Sequence, residues 1–273
     1  MGGYSLKDKY VLVTGASSGI GKEMSRAFAA EGAHCVLGAL PSEMEMIGVR
    51  AAELRRDFGV KTWTAPFDLS EKYGPEQVYG RVLSAVPHLD VLVNNAGMMI
   101  YGNFHETDTE RLERLFLVNA RAYMVLMRLF LPDMVARRQG TVLNISSVSA
   151  FQPCAHHALY GATKAFIQSL SEAIARELQG TGVRVCTLNP SYTDTPMLKG
   201  DDFPKKLWWY YISGLSNPAA IARHGVRAVK RGKMMYVPGI RNRIIHLLLP
   251  RLLPKRLAGF ISYFVLQSVK GQR

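Results

Sequence analysis

Acidic side chains are missing from the C-terminal quarter of this 273-residue sequence: residues 203–273 contain no Asp or Glu, yet carry 14 Lys and Arg. Residues 1–202 hold all 21 acidic residues against 20 basic ones, so the net charge of +13 belongs to the tail and not to the body. Such a segment implies a partner of its own, separate from the chemistry of the rest. Cysteine is also scarce. Cys35, Cys154 and Cys186 are odd in number and far apart, which excludes a disulfide framework and a thiolate metal centre and predicts three small buried hydrophobes in a reducing compartment. Long hydrophobic runs are lacking. The longest uncharged apolar stretch near the C-terminus, residues 257–269, has 13 residues, too few to span a bilayer. Residues 1–10 have no apolar run, and Leu6 occupies the place where a myristoylation motif has Ser or Thr. A soluble, cytoplasmic body is expected. With 48% apolar and 20% charged residues, disorder and collagen-like repeats are excluded.

What is present is a regular alternation. Residues 10–14 (YVLVT), 34–37, 61–67, 89–93 (LDVLV), 141–145 (TVLNI) and 183–188 (VRVCTL) read as six strands. Helical spacing separates them at residues 22–31, 46–58, 76–86, 108–136 and 160–178. Strands alternating with helices predict βαβ units and one α/β domain with a doubly wound parallel sheet. Such sheets bind ligands beyond the carboxyl ends of their strands, where the strand order reverses.

The ends of the strands carry candidate chemistry. After the first strand comes Thr14-Gly15-Ala16-Ser17-Ser18-Gly19-Ile20-Gly21, leading into a helix. Glycines there let a backbone approach a pyrophosphate closely, and the helix N-terminus offers free N–H groups and a positive dipole end. Asn94-Asn95-Ala96-Gly97 follows the fourth strand, Ser147 the fifth, and Tyr160-Gly161-Ala162-Thr163-Lys164 opens the next helix. The i,i+4 spacing puts Tyr160 and Lys164 on one helical face. A phenol with a pKa near ~10 is a poor proton shuttle at neutral pH, and a fixed ammonium nearby would lower it. Ser147 could hydrogen-bond the same substrate oxygen.

These residues resemble the short-chain dehydrogenase/reductase family over residues 7 to about 240. The family's TGxxxGxG pattern is present at Thr14–Gly21 and its NNAG segment at Asn94–Gly97. Its Ser-then-YxxxK set is present too, Ser147 standing 13 residues before Tyr160. Asp68 matches the acid that touches the adenine amino group, with Leu69 beside it, and Asn119 matches the fourth catalytic residue. Pro190-Ser191-Tyr192-Thr193-Asp194-Thr195 resembles the segment that holds the nicotinamide carboxamide, with Ser191 in place of the usual glycine. The resemblance implies a Rossmann-type domain over residues 1–240 and reversible hydride transfer between nicotinamide and a carbonyl or alcohol carbon. Tyr160 would be the general acid/base and Ser147 would position the substrate oxygen. Lys164 would lower the Tyr160 pKa and hold the nicotinamide ribose, and Asn119 would fix a water in a relay to Lys164. Gly15, Ser17, Ser18, Gly19, Ile20, Gly21, Ala39, Asp68, Leu69, Asn95, Ala96, Gly97, Tyr160, Lys164, Pro190, Thr193 and Thr195 would contact the cofactor. The competing class, a dinucleotide-binding regulator or membrane-surface scaffold without turnover, would need a catalytic residue to be missing, and none is.

Gly38-Ala39-Leu40-Pro41-Ser42, at the end of the second strand, offers no acid to repel a 2′-phosphate, so NADP(H) is favoured, with NAD(H) as the alternative. Residues 196–216, with Met197, Leu207, Trp208, Trp209, Tyr210 and Tyr211, read as a lid over a hydrophobic, sterol-like or acyl-like substrate. Phe151, Cys154, His156 and His157 fall where the family lines its pocket, and no further ligands accompany the histidine pair to suggest a metal. A homodimer or homotetramer is expected. Residues 241–273 form a basic amphipathic extension, broken by Pro250 and Pro254, whose charges and apolar groups fit an anionic membrane surface. Nucleic acid is not expected as a partner, because the tail has long aliphatic runs and no binding motif.

Overall fold

The apolar strand runs come together at the centre of the fold. The computed structural model describes residues 4–200, 203–204, 207–248, 252 and 254–265. Strands β1 (Tyr10–Thr14), β2 (His34–Ala39), β3 (Thr62–Pro66), β4 (Val91–Asn94), β5 (Gly140–Ile145), β6 (Val183–Leu188) and β7 (Met235–Tyr236) form one parallel sheet in the order β3-β2-β1-β4-β5-β6-β7. Successive residues of a strand serve opposite faces. Val11 and Val13 join one core with Met24 and Phe28, Ile47 and Leu54, and Ile221 and Val229. These side chains come from helices α1 (Gly19–Ala30), α2 (Met44–Phe58) and α8 (Pro218–Arg231). Leu12, between them, joins the other core with Val78 and Val82 of α3 (Gly74–Ala85) and Leu126, Phe130 and Met134 of α5 (Ala122–Ala136). Both faces are therefore covered, which explains why the strands show no polar alternation. Cys35, Cys154 and Cys186 are all buried thiols.

The seventh strand was not expected. It has two residues, too short for a periodic signal, and pairs with Thr187 and Leu188 of β6. Helix α4 (Thr109–Phe116) runs into α5 through a π-helical turn at Leu117–Arg121, within the long helical region expected over residues 108–136. Helix α6 (Ala158–Glu177) begins two residues before Tyr160. Three further helical segments stand among the described residues: α7 (Trp208–Ser213) between β6 and α8, then α9 (Ile240–Arg243) with a π-helical turn at Ile244–Leu248, and α10 (Lys255–Val265) after β7. Asp202, the side chain of Trp209 and residues 266–273 lie outside the described residues.

A buried polar chain fixes α6 to the sheet. Asn94, paired in register with Asn144, donates from Nδ2 to Asn144 Oδ1 at 2.9 Å. Asn144 Nδ2 donates to Ser171 Oγ at 2.8 Å, and Ser171 donates on to the Ile167 carbonyl at 2.6 Å. Buried hydrogen bonds contribute modestly when made and are costly when broken on one side. Asn144→Ala strands the Asn94 amide N–H and removes the donor to Ser171, which keeps its bond to Ile167, so it should lower the unfolding free energy by about 2–4 kcal/mol in urea titration.

Candidate active site

The strand order reverses between β1 and β4, and their carboxyl ends are tied by a short polar lattice. The Thr14 hydroxyl accepts from the N–H groups of Asn95 and Ala96 at 2.9 and 3.0 Å and donates to the Val93 carbonyl at 3.3 Å. Asn95 Nδ2 donates back to the carbonyls of Thr14 and Gly15 at 2.9 and 3.1 Å. The glycines permit this approach. Gly15 has φ +66°, and a Cβ on it would lie 2.9 Å from Ala96 Cα. A Cβ on Gly21 would collide with the Gly15 carbonyl and the Asn95 amide. Gly21 therefore stands behind the turn, whereas Gly15, Ser17, Ser18, Gly19 and Ile20 line a cleft of about 480 Å³. Ser18 at the N-cap of α1 makes no side-chain cap, which leaves first-turn N–H groups without a side-chain partner at the positive end of the helix.

One end of the cleft is bounded by Ala39, Leu69 and Asp68. Asp68 Oδ1 accepts from the Ser70 N–H and hydroxyl at 2.8 and 2.6 Å, and Oδ2 pairs with Arg114 at 2.9 Å. Burial raises the Asp68 pKa, but the Ser70 hydrogen bonds and the Arg114 guanidinium outweigh it and hold the carboxyl below its ordinary value. No acid occupies Gly38–Ser42, yet Glu43, one residue beyond, lines the cleft and accepts from the Leu40 N–H at 3.3 Å. Neither Glu43 nor Arg114 belongs to a motif. Their placement comes from the turn at Pro41–Glu43 and from α4 crossing the cleft edge.

At the centre Ser147, Tyr160 and Lys164 come together. Ser147 follows β5 and caps the Val148–Phe151 turn by accepting from the Ser149 N–H at 3.1 Å. Its hydroxyl and the Tyr160 phenol both line the cleft, and Ser147 acts to lower the phenol's pKa. Lys164 donates to the Ile145 carbonyl at 2.9 Å, and its ammonium lies 5.1 Å from the centre of the Tyr123 ring and 5.6 Å from that of Tyr160. Burial is the largest influence on both groups. It pushes the Tyr160 pKa up to about 12, against the lowering influence of Ser147, and the Lys164 pKa down to about 7. Burial dominates both shifts because low dielectric disfavours both charged forms.

Asn119 sits in the π-helical turn behind the cleft. Its Oδ1 accepts from the Met98 N–H at 2.9 Å and its Nδ2 donates to the Met98 carbonyl at 2.8 Å, so its amide braces the chain after Gly97. A Cβ on Gly97 would lie 3.3 Å from Asn119 Oδ1 and 3.8 Å from Lys164 Nζ. Asn95, Ala96, Gly97, Pro190, Thr193 and Thr195 all line the cleft. Ser191, in the family's glycine position, has no positive φ, so serine costs no backbone strain there. Met98, Met99, Tyr192, Met197 and Leu198 add an apolar wall that the motifs do not reveal. Phe203 and Leu207 are buried against Met99, Tyr101, Tyr192, Tyr210 and Ile245.

The model of the family described as short chain dehydrogenase matches residues 9–204. The chain is 34% identical over 238 residues to the 2,5-dichloro-2,5-cyclohexadiene-1,4-diol dehydrogenase LinX of Sphingobium indicum, covering 86% of this chain and 94% of that protein. It superposes on a short-chain dehydrogenase from Sphingobium yanoikuyae, solved with NADPH, with a TM-score of 0.78 and 28% identity, covering 97% and 98% of the two chains. A solved 7β-hydroxysteroid dehydrogenase gives a TM-score of 0.81 at 25% identity, covering 93% and 96%. The fold and the sequence kinship thus agree. The protein belongs to the short-chain dehydrogenase/reductase family, the NAD(P)-dependent oxidoreductases built on this Rossmann-type sheet.

Removing the brace without touching the catalytic cluster tests the role of the glycine turn. Asn95→Ala should weaken dinucleotide affinity about tenfold, read by fluorescence titration with NADPH, at a cost of about 1–2 kcal/mol in stability.

Proposed function

We propose that the protein reduces or oxidises a bulky hydrophobic carbonyl or alcohol at the Ser147–Tyr160–Lys164 cluster, using NADP(H). The observation that carries this reading is the meeting of those three side chains beside a glycine turn with an uncapped helix N-terminus. The residues fit a nicotinamide dinucleotide: a Cβ on Gly15 would fill the approach to Ala96, and the first-turn N–H groups of α1 suit a pyrophosphate. The bound nicotinamide would supply or accept the hydride. The chain's own groups would do the rest. Tyr160 gives its proton to the developing alkoxide, or takes it from the alcohol. Ser147, beside the phenol in the cleft, holds the substrate oxygen. Lys164 holds the ribose hydroxyls and favours the phenolate once a positive nicotinamide ring adds to its field. Asn119 supports this through Met98 and the chain at Gly97.

NADP(H) is the preferred cofactor in this reading because Gly38–Ser42 is free of acid and because the related Sphingobium yanoikuyae enzyme was solved with NADPH. Glu43 works against that preference without abolishing it, since its carboxylate is engaged by the Leu40 N–H. The apolar wall of Met98, Met99, Tyr192 and Leu198 supports a bulky apolar substrate. Tyr160→Phe keeps the ring and loses the proton. Turnover with a carbonyl and alcohol panel, followed by reduced-nicotinamide absorbance, should fall at least ~1000-fold while NADPH affinity stays within twofold.

The second part of the proposal concerns the tail, read as a peripheral attachment to an anionic membrane surface from the cytoplasmic side. On its described residues Leu252, Leu257, Phe260, Ile261 and Phe264 are exposed, and no carboxylate follows residue 202. Each Lys or Arg near an anionic leaflet contributes about 1 kcal/mol, screened over ~8 Å at physiological salt. Full-length protein should co-sediment with anionic vesicles, less so at high salt, and hardly with neutral ones. Protein ending before Arg241 should stay in the supernatant, and equal sedimentation of the two forms would reject the attachment.

A further inference from the structure

The end of the cleft bounded by Asp68 carries an ion pair that stability alone does not explain. Arg114 donates from Nη2 to Asp68 Oδ2 at 2.9 Å, joining α4 to the chain just after β3. The Arg114 side chain is 52% exposed and that of Asp68 20%. An exposed pair of this kind adds little to the stability of a fold. Both residues line the cleft.

Their neighbours there are apolar. Phe67 and Leu69 flank Asp68 in the chain, Val118 stands four residues beyond Arg114, and all three line the cleft with the pair. Phe67 and Leu69 are buried. This end is therefore an apolar slot with a planar cation at its rim. Among the described residues, the basic side chains that line the cleft are Arg114 and Lys164, and Lys164 is buried at the centre with Tyr160. Ser18 and Leu40, beside Ala39, are not basic.

The pair dictates what Arg114 can offer a ligand. A guanidinium is flat, and its N–H bonds lie in its plane, so a carboxylate engages it at the edge. Asp68 occupies one edge and compensates the charge. A phosphate drawn to the remaining edge would meet the Asp68 carboxylate as a repelling neighbour. The faces of the plane are what remain, and a face suits a flat, uncharged aromatic ring.

We propose that Arg114 is a cofactor-binding residue, held edge-on by Asp68 so that one face of its guanidinium is offered to the adenine ring of the dinucleotide. This rests on the dinucleotide reading given above. Adenine is common to NADPH and NADH, so the contact contributes affinity for both and chooses neither. Asp68 acts through Arg114 as well as for itself, since it fixes the plane that stacks.

The test measures dissociation constants by nicotinamide fluorescence titration of the full-length protein, with melting temperature alongside. Arg114→Gln should weaken NADPH and NADH alike, about fivefold, and move the melting temperature by less than ~2 °C. Affinity for 5′-AMP should fall by the same factor, and affinity for reduced nicotinamide mononucleotide should not change. Arg114→Lys keeps the charge without the plane and should recover little of the loss. Reduced nicotinamide hypoxanthine dinucleotide lacks the amino group of adenine but keeps a flat ring, so Arg114→Gln should weaken it as much as NADH. If that analogue is indifferent to the variant, Arg114 acts only by orienting Asp68 and the stacking contact is overturned. A loss confined to NADPH would overturn it in favour of a phosphate contact, and full recovery by lysine in favour of charge alone. Unchanged affinities would leave Arg114 as a surface ion pair. A parent that binds neither NADPH nor NADH would instead sink the dinucleotide reading, and this contact with it.

Discussion

The close approach of the glycine turn to the end of β4 is the constraint on which the rest of the site depends. Thr14 and Asn95 exchange hydrogen bonds across the point where strand order reverses, and Gly15 and Gly21 leave no room for a side chain there. That contact sets the floor of the cleft and aims the first turn of α1 into it. It also fixes Gly97, beside which Asn119 and Lys164 converge. A methyl group at Gly21 would displace the turn by the width of the atom it must clear, and every group built on that turn would move with it.

Electrostatics in the cleft are governed by burial more than by pairing. Lys164 has one hydrogen-bond acceptor, the Ile145 carbonyl, and two aromatic faces near its ammonium. In this low-dielectric setting it loses its proton easily, and Tyr160 keeps its own. The two groups are therefore poised to respond to any further charge in the cleft, whose effect water would screen elsewhere. Asp68 at the other end is the opposite case: the Ser70 hydrogen bonds and the Arg114 guanidinium outweigh the cost of partial burial and hold its carboxyl below the ordinary value.

The C-terminal segment is not an appendage hanging clear of the body. His246 is buried and lies 3.3 Å from Gln152, Ile245 packs on the Phe203–Leu207 cluster, and Tyr263 stacks on His156 at 5.7 Å. All three contacts fall on the stretch between Ser147 and Tyr160 or on the segment that covers it. The C-terminal segment and the stretch between Ser147 and Tyr160 thus pack against one another.

The residues alone determined the parallel α/β sheet, the glycine turn, and the identity of Ser147, Tyr160 and Lys164. Each is a local pattern: an apolar run buried on both faces, a glycine where the backbone must turn left-handed, a four-residue spacing along one helix. Strand β7 was not legible, since two residues carry no period. Glu43, Arg114, Met98 and Met99 were not legible either, because they reach the cleft from a turn, a crossing helix and a loop whose directions no spacing encodes. Asn119 was read as a residue, but its bond partner, the Met98 main chain, was decided by the π-helical turn that rotates it inward. The upward shift of Tyr160 and the pairing of Asp68 with Arg114 were likewise left to tertiary structure. Desolvation and hydrogen-bond satisfaction depend on everything that packs around an atom, and no single stretch of sequence contains that.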